Sequence, residues 1–343
     1  MRNLITDVPG VLVGNAQDMR AATGATVAIF EQGAVASVAT LGGAPGDRMA
    51  TSLEPEMVGQ MIDAVVLSGG SVYGLDAAGG ASAVLCQRGQ GRTFGGLAIP
   101  VAVQAILFDL INGGEKDWMR EPVTKKPPYW DLGRDAALVA AHDFALGTAG
   151  AGVGATTAGL KGGLGSTSAR TSQGFTVGAL VAVNAVGSTT IGSGPHFWAG
   201  AYERGNEFGG LGWPAKLPDD ALKIRFKGQP LPATATTIAL VATDAALTKA
   251  ECKRLAIMAN DGLSKALRPV HAPNDGDTVF AAATAKAGRG GDPPVLTELG
   301  TVAADCLARA VARGVYEATA LPFAGAVPDW RSRFGGLRGG SRT

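Results

Sequence analysis

The chain has few of the residues that usually announce a site: three cysteines and three histidines in 343 residues. Cys86, Cys252 and Cys306 are odd in number, widely spaced and set in helix-like apolar patterns, which predicts reduced, buried thiols, not a disulfide framework. His142, His196 and His271 share no ligand spacing, so no metal is expected. An excess of charge of either sign is missing as well. Thirty basic against 29 acidic residues leave a net charge of +1, no electrostatic footprint for nucleic acid or an anionic membrane. No run of 18 apolar residues occurs, and the amino terminus, MRNLITDVPGVLVG, has no apolar signal-peptide core; neither membrane spanning nor secretion is predicted, and the cytoplasm is the default. The absence of G-x-S-x-G counts against an α/β-hydrolase triad. Two glycine-rich stretches fail as phosphate loops. GAGVG at 150–154 lacks the third glycine of a dinucleotide turn, and GLKGGLGS at 159–166 places Lys161 before the glycines. No cofactor is expected, and the partner indicated is a small molecule.

What is present is apolar residue and glycine. Apolar residues make up 46% and charged residues 17% of the chain, ample for a core and too apolar for disorder. Short apolar runs bounded by glycine read as strands at 10–14, 25–30, 34–40, 63–70, 150–159, 175–187, 236–244 and 278–284. Helical patterns fall at about 72–88, 134–146, 248–267 and 297–319, the third opening on a capping box of Thr248 and Glu251. The alternation is loose, so a layered α+β fold is expected instead of a doubly wound sheet. Nothing splits the chain cleanly into two domains. The 51 glycines, about twice average usage, cluster at strand ends and leave two explanations open, close approach at a site or tight packing of layers. The segment 111–133 reads as a surface excursion ending near Tyr129, and the Gly-rich basic tail, 331–343, as flexible.

Several side chains stand where chemistry needs them. In ATTIALVATDA, Thr236 and Thr237 head an apolar strand, as β-branched residues do. Pro230 and Pro232 just upstream predict an exposed connection. If Ala235–Thr236 were cut there, Thr236 would hold a hydroxyl nucleophile and, in its free α-amine, a base of pKa about 7.7–8.0. Asp275 and Asp277 flank Gly276 before an apolar strand, a pairing that fits acid/base work, an ammonium site or a plain Asp-Gly turn; the glycine between the acids rules out a calcium loop. Asn184 interrupts the apolar run VAVNAVG and must find partners at a turn or an oxyanion. Lys161 lies between glycine-flanked segments, as a solvated turn lysine or against a pocket. Ser68, Gly69, Gly70 and Ser71 lead from strand into helix, where backbone N–H groups can face a ligand or simply cap the helix.

With these pieces in hand, LSGGSVYGLDAA, VGALVAVNAVG, TTIALVATDA and PVHAPNDGDTVFAAAT resemble the P1 family (peptidase S58) of self-processing aminopeptidases and amidases. That family includes the β-peptidyl aminopeptidases and nylon-oligomer hydrolases. The resemblance, from ITDVPGVLVG to about residue 320, implies a four-layer αββα sandwich of the N-terminal-nucleophile kind. It further implies one αββα domain, cut into a large subunit, 1–235, and a small subunit, 236–343. It implies Thr236 as nucleophile, Tyr129 and Asn184 at the oxyanion, Lys161 beside the nucleophile, Asp275 and Asp277 as the acidic pair, and a homo-oligomer, a tetramer of processed protomers. The activity implied is release of amino-terminal residues from short peptides or amides. Acyl transfer of the ornithine acetyltransferase kind and an unprocessed, non-catalytic binder are the other readings. Ala235 departs from the usual Asn or Gly. If the scissile bond needs a left-handed residue there, alanine costs about 1–2 kcal/mol, slowing cleavage about tenfold to thirtyfold.

Overall fold

In the computed structural model, which describes residues 1–59, 61–228 and 234–335, one long strand organises everything else. The described residues contain eleven strands: β1 (Val11–Asp18), β2 (Thr23–Thr40), β3 (Asp47–Arg48), β4 (Met61–Ser68), β5 (Arg92–Phe94), β6 (Leu97–Ile99), β7 (Ala102–Ile106), β8 (Gly163–Arg170), β9 (Thr176–Asn184), β10 (Thr236–Thr243) and β11 (Thr278–Ala283). The helices are α1 (Ala77–Gln87), α2 (Tyr129–Leu138), α3 (Lys249–Ala266), α4 (Pro293–Glu317) and α5 (Trp330–Phe334).

All strands but the β5–β6 hairpin join one ladder, β3-β7-β4-β2-β11-β10-β9-β8, with β1 also on β2. The 18-residue β2 pairs β4 at Ala25–Ile29 and β11 at Val35–Thr40, with a register shift between Ile29 and Ala34. An irregularity of this kind bends a strand and raises its twist. Here it folds the ladder into two halves that face each other. Val65, Leu67 and Val103 from one half and Leu180, Leu240 and Phe280 from the other share an inner core. Alternate residues on the outer faces complete the sandwich: Ala25, Val27 and Val66 pack on α1 and α2, and Val181, Val241 and Val279 pack on α3 and α4. Each such fully buried valine, leucine or phenylalanine contributes roughly 1.5–3 kcal/mol. The result is the expected layered α+β fold, helices over sheet over sheet over helices.

The helix ends follow local chemistry. Thr248 accepts a hydrogen bond from Glu251 N–H while the Glu251 carboxylate accepts from Thr248 N–H, the reciprocal cap anticipated for α3. The pattern at 134–146 gives a helix that starts earlier and stops at Leu138, because Ala141 exchanges backbone hydrogen bonds with Val13 and leaves the helix for the sheet edge. The expected helix at 72–88 begins with a tight 3₁₀ turn over Ser71–Asp76 before α1 proper.

Three other expectations are corrected. Residues 150–159 form turns instead of a strand. The neighbouring strand is the polar GLGSTSAR of β8, whose Ser166, Thr167 and Ser168 hydroxyls donate to Ala179 O, Cys306 O and Asp7. A Cβ at Gly165 would lie 1.9 Å from Ala310 O, so here glycine serves tight packing of β8 against α4. The basic tail is not free from residue 331, since α5 buries Trp330 and Phe334, with Trp330 stacked on Phe197 at 5.7 Å. Cys86 is exposed, whereas Cys252 and Cys306 are buried, and burial pushes their thiols up to about 12 and about 11. The Pro230–Pro232 approach to Thr236 lies outside the described residues, as does 336–343. Among the described residues no helix is long and apolar enough to cross a membrane.

Candidate active site

Strand β10 places Thr236 opposite Asn184, the last residue of β9, at one end of the inner sheet. On its other side the chain runs parallel to the 271–277 loop, with Ala235 bridging Asp275. Both Thr236 and Ala235 are buried. The Thr236 hydroxyl donates to the carbonyl oxygen of Ala235. That same carbonyl accepts the Gly276 N–H at 3.2 Å. Glycine is required at 276 by proximity: a Cβ there would stand 2.7 Å from Thr236 Oγ1. Ala235 is not among the non-glycine residues with positive φ, which in the described chain are Asn3, Ala22, Met49, Ser71, His271 and Ala285. The left-handed strain that would make alanine costly before the junction is therefore absent.

The loop beyond is filled. Asp277 Oδ1 accepts Thr237 N–H at 2.8 Å, and its Oδ2 accepts the His271 backbone N–H at 3.1 Å and lies 2.8 Å from His271 Nδ1. With a carboxylate as neighbour, Nδ1 is the protonated ring nitrogen. Asp275 is buried against Asp277, and burial together with that neighbouring acid holds its carboxyl well above the usual range. A neutral acid makes a poor receptor for a substrate ammonium, and Asp277 is fully engaged. Residues Leu41–Ala44 clamp the loop from outside through Ala44 N–H to Asp275 O at 2.7 Å.

On the β9 side the carboxamide of Asn184 is held from four directions. Its Oδ1 accepts Thr156 N–H at 3.0 Å, Asn112 Nδ2 at 3.1 Å and Lys227 Nζ at 2.8 Å, and its Nδ2 donates to Phe108 O at 3.0 Å. An ammonium and a backbone N–H can only donate, so the atom facing them must be the oxygen, and the amide orientation is fixed. One N–H of Nδ2 remains for another acceptor. Lys227 is half-buried; burial lowers its amine to about 8, with Asp109 pulling the other way.

Tyr129 joins this site at one remove. Its hydroxyl donates to Thr23 Oγ1 at 3.3 Å, and Thr23 donates to Asp109 Oδ2 at 2.7 Å. Burial and the Asp109 charge push the phenol far above its ordinary value, so it remains a donor. The excursion at 111–133 accordingly turns inward, with Trp118 edge-to-face on Tyr129 at 5.9 Å. Gly70, at φ 89°, lets the chain pass the ring where a Cβ would meet Tyr129 Cζ at 2.1 Å. The 68–71 segment thus packs and orients Tyr129 and Asp109, and its backbone donors are already committed: Gly69 N–H to Gly24 O, Gly70 N–H to Asp109 Oδ1, Ser71 N–H to Leu107 O, while the Ser68 hydroxyl donates to Gly69 O. It is a scaffold in this arrangement, not the open cradle anticipated for a substrate.

Lys161 is buried, and its Nζ donates to Gly152 O, Ala155 O and Gly162 O, each at 2.8 Å. Burial pushes its amine down to about 7. All three ammonium donors are occupied, and no described contact joins Lys161 to Thr236. Asp109, Asn112, Lys227 and Gly276 are the site residues that sequence reading passed over. Asp109 ends the apolar run VAVQAILFDL, a carboxylate at the tip of a buried strand, and was the one carrying a usable signal.

A cavity of about 480 Å³ opens beside Asn184, lined by 111–113, Thr156, Thr157, Gly159, 226–228 and 323–327. Three of its lining residues, Asn112, Thr156 and Lys227, are the same three that donate to Asn184 Oδ1. Such a volume suits a small organic ligand.

A buried hydroxyl thus sits at the end of a strand in the sandwich, with fixed amide and backbone donors on either side and a cavity beside Asn184. The chain belongs to peptidase family S58, whose family model matches residues 3–326; it is a hydrolase acting on peptide or linear amide bonds. It is 39% identical over 369 residues to an uncharacterized aminopeptidase of Mycobacterium tuberculosis, covering 98% of this chain and 99% of that one. It is 29% identical over 288 residues to the 6-aminohexanoate-oligomer endohydrolase of a Kocuria species, covering 81% and 74%. In fold it is similar to a Burkholderia β-aminopeptidase, with a TM-score of 0.68 at 22% identity, covering 100% and 96%. It is also similar to the L-aminopeptidase D-Ala-esterase/amidase of Ochrobactrum anthropi, described as a variant of the Ntn hydrolase fold, with a TM-score of 0.64 at 21% identity, covering 98% and 94%.

Proposed function

We propose that this chain is a self-processing aminopeptidase or amidase of the N-terminal-nucleophile kind, with Thr236 as nucleophile. In the first reaction Thr236 Oγ1 attacks the Ala235 carbonyl carbon. The C–N bond breaks, the hydroxyl proton passes to the departing Thr236 nitrogen, and the acyl group rests on Oγ1 as an ester. Water then hydrolyses the ester, leaving an Ala235 carboxylate and a free Thr236 amine. In the second reaction the same hydroxyl attacks a short peptide or amide, with the new amine accepting and returning its proton. Asn184 Nδ2 is the donor proposed for the substrate oxyanion, and Tyr129 supports that region through Thr23 and Asp109. Asp275 and Asp277 are assigned to holding the loop that carries the Gly276 N–H, and Lys161 to bracing the 152–162 turns behind Asn184.

The observation that carries this reading is the double contact on the Ala235 carbonyl oxygen, from Thr236 Oγ1 and from Gly276 N–H. A backbone donor aimed at an acyl oxygen beside a hydroxyl is how developing negative charge is stabilised. Intact mass of purified protein tests it: two fragments dividing at Ala235/Thr236 are expected, with a single mass in Thr236→Ala. A permanently intact chain with full amidase activity overturns it. The cytoplasm and an assembly of several processed protomers are part of the same proposal; sedimentation of the processed protein tests the assembly.

A further inference from the structure

We propose that the cavity beside Asn184 is a carboxylate-binding subsite, which takes the leaving fragment of a short peptide and uses the Lys227 ammonium as its receptor. This rests on Thr236 as the nucleophile, since Thr236 pairs with Asn184, whose Oδ1 accepts from three residues of the cavity wall. Among the described residues Lys227 is the sole ionisable side chain in the cavity wall. Its one described side-chain acceptor is Asn184 Oδ1, and an ammonium has three N–H groups to place. Two donors therefore remain beside a cavity whose described wall contains no carboxylate. At the rim, Arg333 lies against Gly159, donating to its carbonyl at 3.0 Å, which adds a second cation. The rest of the wall is largely apolar, from Ile111, Phe226 and Phe323.

A peptide attacked from its amino end divides into an acyl fragment that bears the ammonium and a leaving fragment that bears the carboxylate. A cavity with a lysine and no acid repels the first and attracts the second. The acids near Thr236 do not reverse this assignment, because Asp277 is engaged by Thr237 and His271 and Asp275 is kept neutral. About 480 Å³ accommodates one or two residues of leaving fragment, with an apolar side chain against Phe226 and Phe323 and the terminal carboxylate on Lys227. The specificity that follows is for short peptides with a free carboxyl end over the same peptides blocked as amides.

The test uses full-length Thr236→Ala, which binds without turning over, and alanyl-phenylalanine against alanyl-phenylalanine amide in titration calorimetry. The free acid is expected to bind at least about tenfold tighter, the worth of one charge-assisted contact. Adding Lys227→Met should bring the two ligands to equal affinity, and Lys227→Arg should keep most of the preference. Equal binding of acid and amide by Thr236→Ala, tighter binding of the amide, or no binding of either overturns the proposal. So does an equal loss for both ligands in Lys227→Met, because a lysine that only steadies Asn184 would give that result. Intact mass of the wild type, run alongside, reports separately on the nucleophile: a discriminating subsite in a chain that never cleaves would leave the subsite standing and remove the reading of Thr236.

Discussion

The two flanks of Thr236 are built on opposite plans. On the β11 side the acidic groups are committed: the loop is buried, Asp275 lies against Asp277, Asp277 holds Thr237 and His271, and the Gly276 N–H donates to Ala235 O. On the β9 side Asn184 is equally well held, yet it borders a cavity and keeps one N–H free. A filled flank fixes the bond that belongs to the chain; an open flank leaves room for a bond that does not. The difference teaches that the two reactions proposed for one hydroxyl draw on different donors, and mutations should separate them.

The largest effect is expected at the residue both flanks share. Thr236→Ala should abolish self-cleavage and lower turnover by about 10⁴-fold or more, measured by intact mass and by release of product from a peptide. Thr236→Ser should retain both. Next, Asn184→Ala should lower kcat for added substrate by about 10²- to 10³-fold, the usual cost of one oxyanion donor, while cleavage at Ala235 falls by much less. If the two reactions fall together, the division between flanks fails. Gly276→Ala should do the reverse, since its Cβ would press on Thr236 Oγ1: a time course of fragment formation should slow by tenfold or more.

The smallest effect concerns pH. Burial and Asp277 raise the Asp275 carboxyl, so the folded state keeps a proton that the unfolded chain releases above about pH 4. The folded state binds more protons there, and this group's contribution to stability declines as pH rises from that point toward the raised folded value. Asp275→Asn removes the titration. Its melting temperature should gain on the wild type progressively from about pH 5 to about pH 8, by a few degrees at the upper end. A constant gap across that range would mean that Asp275 ionises as an ordinary surface carboxylate does.

Much of the architecture could be read from the chain because its strands are apolar and bounded by glycine. The pattern fails where another force decides. β8 is polar because each hydroxyl finds an acceptor, on the next strand, on α4 or on Asp7, which no hydropathy pattern reports. The turns at 150–159 contain strand-forming residues, but four glycines and the Lys161 contacts fold them back. Thr236, Asn184, Asp275 and Asp277 meet because strand ends in one sheet converge; taken alone each had an ordinary structural reading, and it was the family resemblance that set them apart. Lys227 was not legible, for its significance lies in burial and in a partner more than forty residues away along the chain.

The position of β10 has one more consequence. It lies inside the sheet, antiparallel to β9 on one side and parallel to β11 on the other, and β11 in turn pairs β2. A cut before Thr236 would leave β10 and β11 on one fragment and their outer neighbours, β9 and β2, on the other. The two pieces would remain a single laminate, each strand of the shorter one stitched edge to edge into the longer. Scission would be invisible to size and shape and visible only to mass. The shorter piece, expressed by itself, would keep its packing of β10 and β11 on α3 and α4 but present two bare sheet edges and an uncovered inner face.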